Sequence, residues 1–235
     1  LITQICVIMS LTYEIVPKHE IILEGVVGST AYGLATPSSD IDLLGVHLWD
    51  NSVFFGLKQP KRTIVTHDPD CTYHELNKYI SLLCGANPTV SELLWLNTYT
   101  KIAPQGKKLL DARDMFLTQK VRKTYGGYAL QQAQRLADRG NFTRRRRTEK
   151  HGRHCCRLIL QGQHILEHGR IKIKLSPEEV DLCFYAGRLA RDNIEAFNTL
   201  FCEMMEWFDG TSSDLPDQPD LDQATMLIFS IRGLI

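Results

Sequence analysis

The sequence predicts a mixed α/β (α+β) fold, a small β-sheet domain over residues 10–103 followed by an all-helical domain over residues 104–235. Three observations carry this. β-branched apolar runs alternate with helically spaced apolar residues through the first hundred positions. After Pro104 the strand signal nearly vanishes. The 235 residues are 43% hydrophobic and 23% charged, values that bury a core and exclude wholesale disorder.

Ile21 to Val27 is an apolar run ending at Gly28, which reads as a buried strand. Residues 29–39 hold Gly33, Pro37 and three serines and read as a loop with a short helical turn. Asp40 to Leu48 opens with polar–apolar alternation, as a strand with one wet face does. Arg62 to Thr66 and Asp70 to Tyr73 are further strands, split by His67-Asp68-Pro69. The spacing of Leu76, Tyr79, Ile80 and Leu83 predicts a helix over 75–84. Asn87-Pro88 reads as a stop, with Thr89 capping a short helix that runs to Leu96. Longer helices are predicted over 105–111, 119–139, 144–168 and 188–208. Gly169 reads as a C-cap, and Ser176-Pro177-Glu178-Glu179 as a helix start with Pro in the first turn. Ile171 to Lys174 alternates as a short strand or extended loop. Asp209 to Asp222 reads as a loop before a last helix, Gln223 to Ile231. Trp95, Trp207 and Phe208 are read as core.

Composition narrows the function classes. Lys+Arg and Asp+Glu both number 27, so no net field selects a partner. Locally, residues 139–157 are strongly basic, a run suited to polyanions, and residues 203–222 are acidic. The longest uncharged apolar stretch, Leu1 to Thr12, falls short of the roughly 20 residues a bilayer span needs, so no membrane is expected. Met9-Ser10 reads as a natural start and residues 1–8 as an upstream extension. Seven cysteines without CxxC spacing read as a reduced, intracellular, hence cytoplasmic chain. His151, His154, Cys155 and Cys156 point in different directions from one helix, which argues against zinc. GxxxxGK(S/T), GxGxxG, HExxH and GxSxG are absent, which sets aside P-loop, Rossmann, zincin and serine hydrolase chemistry.

The chemistry is concentrated in Gly28-Ser29, ten further residues, and then Asp40-Ile41-Asp42. A strand ending in Gly-Ser lets backbone amides approach an anion closely, and the Ser29 hydroxyl adds a donor. Asp40 and Asp42, two apart on a strand, share one face. Two carboxylates there repel each other unless a cation lies between them, and their hard oxygens suit Mg²⁺, which also takes substrate phosphates. Two such ions, Mg²⁺ or alternatively Mn²⁺, activate an attacking oxygen and stabilise a leaving pyrophosphate. Lys150, His154 and Arg157 follow at i, i+4 and i+7, so a helix presents them as one cationic face for a triphosphate or a nucleic-acid backbone.

The string Gly28-Ser29-Thr30-Ala31-Tyr32-Gly33, followed by Ser39-Asp40-Ile41-Asp42-Leu43-Leu44-Gly45-Val46, resembles the nucleotidyltransferase superfamily of DNA polymerase β. Asn87-Pro88-Thr89-Val90-Ser91-Glu92-Leu93-Leu94 and Lys150-His151-Gly152-Arg153-His154-Cys155-Cys156-Arg157-Leu158 are similar to its RNA-repair-associated polymerase-β-like branch. The resemblance runs from about residue 20 to about residue 188. It implies a polymerase-β-like nucleotidyltransferase domain that moves a nucleoside monophosphate from an NTP to a hydroxyl acceptor, an RNA end being favoured. Gly28 and Ser29 would hold the β- and γ-phosphates, with Tyr32 either shaping the nucleotide pocket or packing on the core. Lys150, His154 and Arg157 would line the cleft. A third carboxylate is also implied. Asp70 is favoured because it opens a strand, with Glu75 and then Asp68 behind it. The alternative is a non-catalytic nucleotide- or RNA-binding module of the same fold, a sensor or toxin–antitoxin component. The acidic pair argues against that alternative, because a pure phosphate binder gains nothing from two adjacent negative charges.

Overall fold

A computed structural model of the chain describes residues 19–37, 39–57, 59–67, 70–137 and 145–235. Asp68, Arg139, Arg144 and the Met9 start lie outside these residues.

The strands are β1 (His19–Val27), β2 (Asp42–Trp49), β3 (Thr63–His67), β4 (Asp70–Glu75) and β5 (Lys101–Ile102). They form one mixed sheet of order β3-β4-β2-β1-β5. β2 pairs antiparallel with β1 and parallel with β4, and the edge pairs β3–β4 and β1–β5 are antiparallel. The β1–β2 register shifts between Ile21 and Leu23. That irregularity breaks strict alternation, so consecutive Ile22 and Leu23 are both fully buried.

The first helix, α1 (Gly28–Tyr32), follows β1 directly. Gly33 ends it at φ 82°, with Leu34 N–H donating to Ser29 C=O (2.9 Å) in a Schellman arrangement. α2 (Leu76–Cys84) is N-capped by Glu75, whose carboxylate accepts from the Asn77 and Lys78 amides. Asn87-Pro88, expected to be a stop, is instead a start. Asn87 Oδ1 accepts from the Thr89 and Val90 amides, and Pro88 opens α3 (Pro88–Ser91). The physical reason is that Asn is a strong N-cap and Pro is pre-set for the first helical position. A 3₁₀ turn, Glu92–Trp95, continues from α3.

α4 (Pro104–Asp111) lies hard against β1, where a Cβ on Gly106 would collide with the Ile22 carbonyl. α5 (Lys120–Ala137), α6 (Arg145–His168), α7 (Pro177–Asp192) and α8 (Ile194–Gly210) form the helical part, with α6 packed on the other three. The capping box of Ser176 and Glu179 opens α7 as its sequence predicts. The helix expected over 188–208 is instead two helices, because Asn193 ends α7 and caps α8 with its side chain on the Ala196 amide. Ile171 to Lys174 forms no strand and runs as a loop. Gly169 takes φ 60° at the end of α6, as a C-cap glycine does. Phe208 is fully buried, whereas Trp207 is 52% exposed.

α9 (Leu221–Ile231) returns to pack on α2 and α4. Just beyond it, Arg232 pairs with the buried Glu75 and bonds Asn77 and Asn51. Buried residues of the sheet part and of the helical part form one continuous core. Among the described residues, no helix is long and apolar enough to cross a membrane.

Candidate active site

Three strand ends meet at one level of the sheet. Val27, the last residue of β1, pairs with Asp42, the first of β2. On the other side Leu43 pairs with Cys71 in parallel, so Asp42 and Asp70 stand side by side one step earlier. Residues opposite each other on neighbouring strands face the same way, so this register puts the two carboxylates on one face. Asp40 lies two residues ahead of Asp42, after a turn closed by Ser39 N–H to Thr36 C=O (2.8 Å) and by Thr36 N–H to Ser39 Oγ (2.8 Å).

Gly28 completes the corner. Its φ of 72° lies in the left-handed region, and a Cβ built there would collide with Asp42 Oδ2. Any larger residue would be strained and would push the carboxylate away. Gly28→Ala is therefore expected to cost about 1–2 kcal/mol in backbone strain alone. Both the melting temperature and any Asp42-dependent activity should fall, as calorimetry and turnover would show.

Electrostatics mark Asp42 as the centre. Partial burial is the largest cause pushing its carboxyl above the usual range, the Lys150 ammonium opposes the rise, and the charges of Asp70 and Asp40 add to it. Asp40 and Asp70 thus both act on Asp42, with one exposed lysine from α6 opposing them there. Among the described residues, no group of three or more His, Cys, Asp or Glu side chains is already drawn together so as to hold an ion. The donor chemistry nonetheless fits a hard divalent cation, because all three groups are carboxylates and the central one is destabilised by its neighbours' like charge.

The other expected site residues are divided. Ser29 sits in the first turn of α1, partly buried. Lys150 is exposed and acts on Asp42. Arg157 and Tyr32 do not line an open cleft. Arg157 is 1% exposed, bonded to Glu92 Oε1 (2.7 Å) and to Gln161, with its guanidinium 4.3 Å from the Tyr32 ring centre. The Tyr32 hydroxyl donates to the other Glu92 oxygen. The three positions do share one face of the helix, but 157 lies about two turns further along the axis than 150, where Glu92 and Tyr32 cover that face. His154 lies between them, partly buried, its Nδ1 accepting from Arg157 (3.1 Å). Burial, then the Arg157 charge, holds its ring well below the ordinary histidine range, so it is neutral.

Of the third-carboxylate candidates, Glu75 is fully buried and committed to Arg232 and the α2 cap. Asp70 is exposed at the head of β4 and acts on Asp42. Sequence reasoning missed Glu92 as the acid that receives Arg157. Its signal was an acid within the apolar stretch Val90 to Leu94, which a cap reading did not explain.

α6 is seated by two facing glycines. A Cβ on Gly152 would press on Ala190 and the Ala186 carbonyl, and one on Gly187 would press on Arg153 and the Glu149 carbonyl. This close approach of α6 to α7 fixes the turn that carries Lys150 and His154.

No curated protein matches the chain. The model of the RNA repair pathway DNA polymerase beta family, in contrast, matches residues 11–179. That match takes in the Gly28–Asp42 corner, Asp70, the Glu92 turn and the Lys150–Arg157 helix face, and on it the chain belongs to the RNA repair pathway DNA polymerase beta family.

Proposed function

We propose that this protein is a nucleotidyltransferase that moves a nucleoside monophosphate from an NTP to a hydroxyl acceptor, an RNA end being favoured, with release of pyrophosphate. The observation that supports it is the Asp42 carboxylate set against Gly28, with Asp40 and Asp70 acting on it. In this reading Asp40, Asp42 and Asp70 would hold the divalent cations, two Mg²⁺ or alternatively Mn²⁺. Bound there, such ions supply Lewis-acid stabilisation of the attacking and leaving oxygens.

The chain's own residues do the rest. Gly28 gives the triphosphate close access to backbone amides, and the Ser29 hydroxyl adds a donor for its β- and γ-phosphates. Lys150 offers the exposed positive charge on that side. The acceptor oxygen forms its bond to the α-phosphorus as the bond to pyrophosphate breaks, and Asp70 favours loss of the hydroxyl proton. Tyr32, His154 and Arg157 act from behind, by holding α1 and α6 in place through Glu92. A cytoplasmic location goes with this reading, supported by the absence of a disulfide among the described cysteines.

The test is to incubate the protein with an α-phosphate-labelled NTP, Mg²⁺ and an RNA bearing a free 3′-hydroxyl. Label should pass to the RNA, and the double variant Asp40→Ala/Asp42→Ala should transfer none. Undiminished transfer by that variant would sink the proposal.

A further inference from the structure

A second site lies away from the aspartates. A cavity of about 380 Å³ opens between the 3₁₀ turn ending at Trp95 and the loop after α6. Arg113, Arg170, Lys172 and Lys174 line it together with Trp95 and His164, and no acid lines it. Only Lys172 has an acidic partner among the described residues, Glu179 at 2.7 Å. Arg170 and Lys174 are exposed. Arg113 lies over the Trp95 ring at 4.4 Å, so a guanidinium plane and an indole sit together at the wall. The Nε2 atom of His164 is buried and makes no hydrogen bond among the described residues. Four cations beside a cation–aromatic stack match what a flexible polyanion with planar bases offers: phosphates for the cations and flat faces for the stack.

The cavity is tied to the aspartate corner. Gln161 accepts from Arg157 and donates to the Lys172 carbonyl (3.1 Å). Three residues on, Leu175 N–H donates to the Tyr32 carbonyl at the end of α1 (3.2 Å). The segment that forms one wall of the cavity is thus bonded to the helix that begins with Gly28-Ser29.

We infer that this cavity is the groove for a single-stranded RNA segment, the acceptor strand of the proposed transfer. The inference rests on that reading for its biological sense but is read out by binding alone. The experiment is fluorescence anisotropy of an end-labelled single-stranded oligoribonucleotide with three proteins: wild type, Arg170→Glu/Lys174→Glu, and Asp40→Ala/Asp42→Ala. The charge-reversed residues are exposed, so the fold tolerates them, and an unchanged melting curve would verify it. Wild type and the aspartate variant should bind alike, and the charge-reversed variant at least tenfold more weakly, with a shallower salt dependence. Unlabelled oligoribonucleotide should displace the probe far better than inorganic polyphosphate of equal charge. Failure of the wild type to bind, equal binding by the charge-reversed variant, or equal displacement by polyphosphate would each overturn the inference. Binding that follows the expected pattern without label transfer would overturn the proposed reaction instead and leave the groove standing.

Discussion

Arg157→Met is expected to lower the unfolding free energy by about 3–5 kcal/mol, the scale on which removing one partner of a buried ion pair leaves the other charge uncompensated. Glu92, at 1% exposure, is the charge left behind. Burial pushes its carboxyl up, against the pull of Arg157 and of the Tyr32 hydroxyl. Without Arg157 only the Tyr32 hydroxyl opposes the burial. Replacing both partners, as Glu92→Leu/Arg157→Met, should recover part of the loss, because no buried charge is left uncompensated, while the Tyr32 hydroxyl, Gln161 and His154 still lose their partners. Urea denaturation of the three variants at neutral pH is the measurement. A single variant within about 1 kcal/mol of wild type would show that water reaches Glu92, contrary to the burial seen here.

The same network sets an acid limit. His154 is neutral in the fold, with Arg157, His151, Lys150 and Arg135 all adding positive charge around it. Its folded value lies well below its ordinary one, so the unfolded chain binds the proton first as pH falls. Stability is therefore lost progressively below about pH 6.5, where an unperturbed histidine titrates. In His154→Gln that part of the slope should disappear.

The candidate corner was legible because it is local in sequence. Gly28-Ser29 and Asp40-Ile41-Asp42 are close along the chain, but the period of two holds only from Asp42, where β2 begins; Asp40, expected on the same strand face, stands two residues before the strand. Asp70 was legible in part: its place at a strand head pointed to it, but only the parallel pairing of β2 with β4 sets it beside Asp42. Nothing local specifies that pairing, since it depends on a crossover through β3. The α6 face was misread at Arg157 for a related reason. Helical spacing says which residues are neighbours but not how deep each one lies, and the depth was set by Glu92, some sixty-five residues earlier. Asn193 escaped notice because a cap is a single-residue event, and the apolar periodicity on either side of it runs on with little interruption.

Asp42→Asn should separate function from stability in opposite directions. The carboxylate is held above its ordinary range by burial and by Asp70 and Asp40, so its charged form is disfavoured in the folded protein. With folded pKa above unfolded, its contribution to stability is favourable at low pH and is lost as pH rises through the raised value. At neutral pH the metal-free protein therefore carries a destabilising charge at this position. An amide of the same shape removes it, so the metal-free variant should melt higher than wild type. That advantage should vanish under acid, where Asp42 is protonated in both states. Mg²⁺ should reverse the order, since a cation bound by the folded state alone stabilises wild type by mass action and has one fewer carboxylate to bind in the variant. Nucleotidyl transfer should fall on the order of 10³-fold, the scale of losing a group that stabilises charge in the transition state. Asp40→Asn provides the contrast: Asp40 is exposed, so its replacement should reduce transfer with little change in melting temperature. A metal-free Asp42→Asn protein that melts lower than wild type at neutral pH would mean that its carboxylate serves the fold, and the crowding of three aspartates at these strand ends would then need a structural explanation.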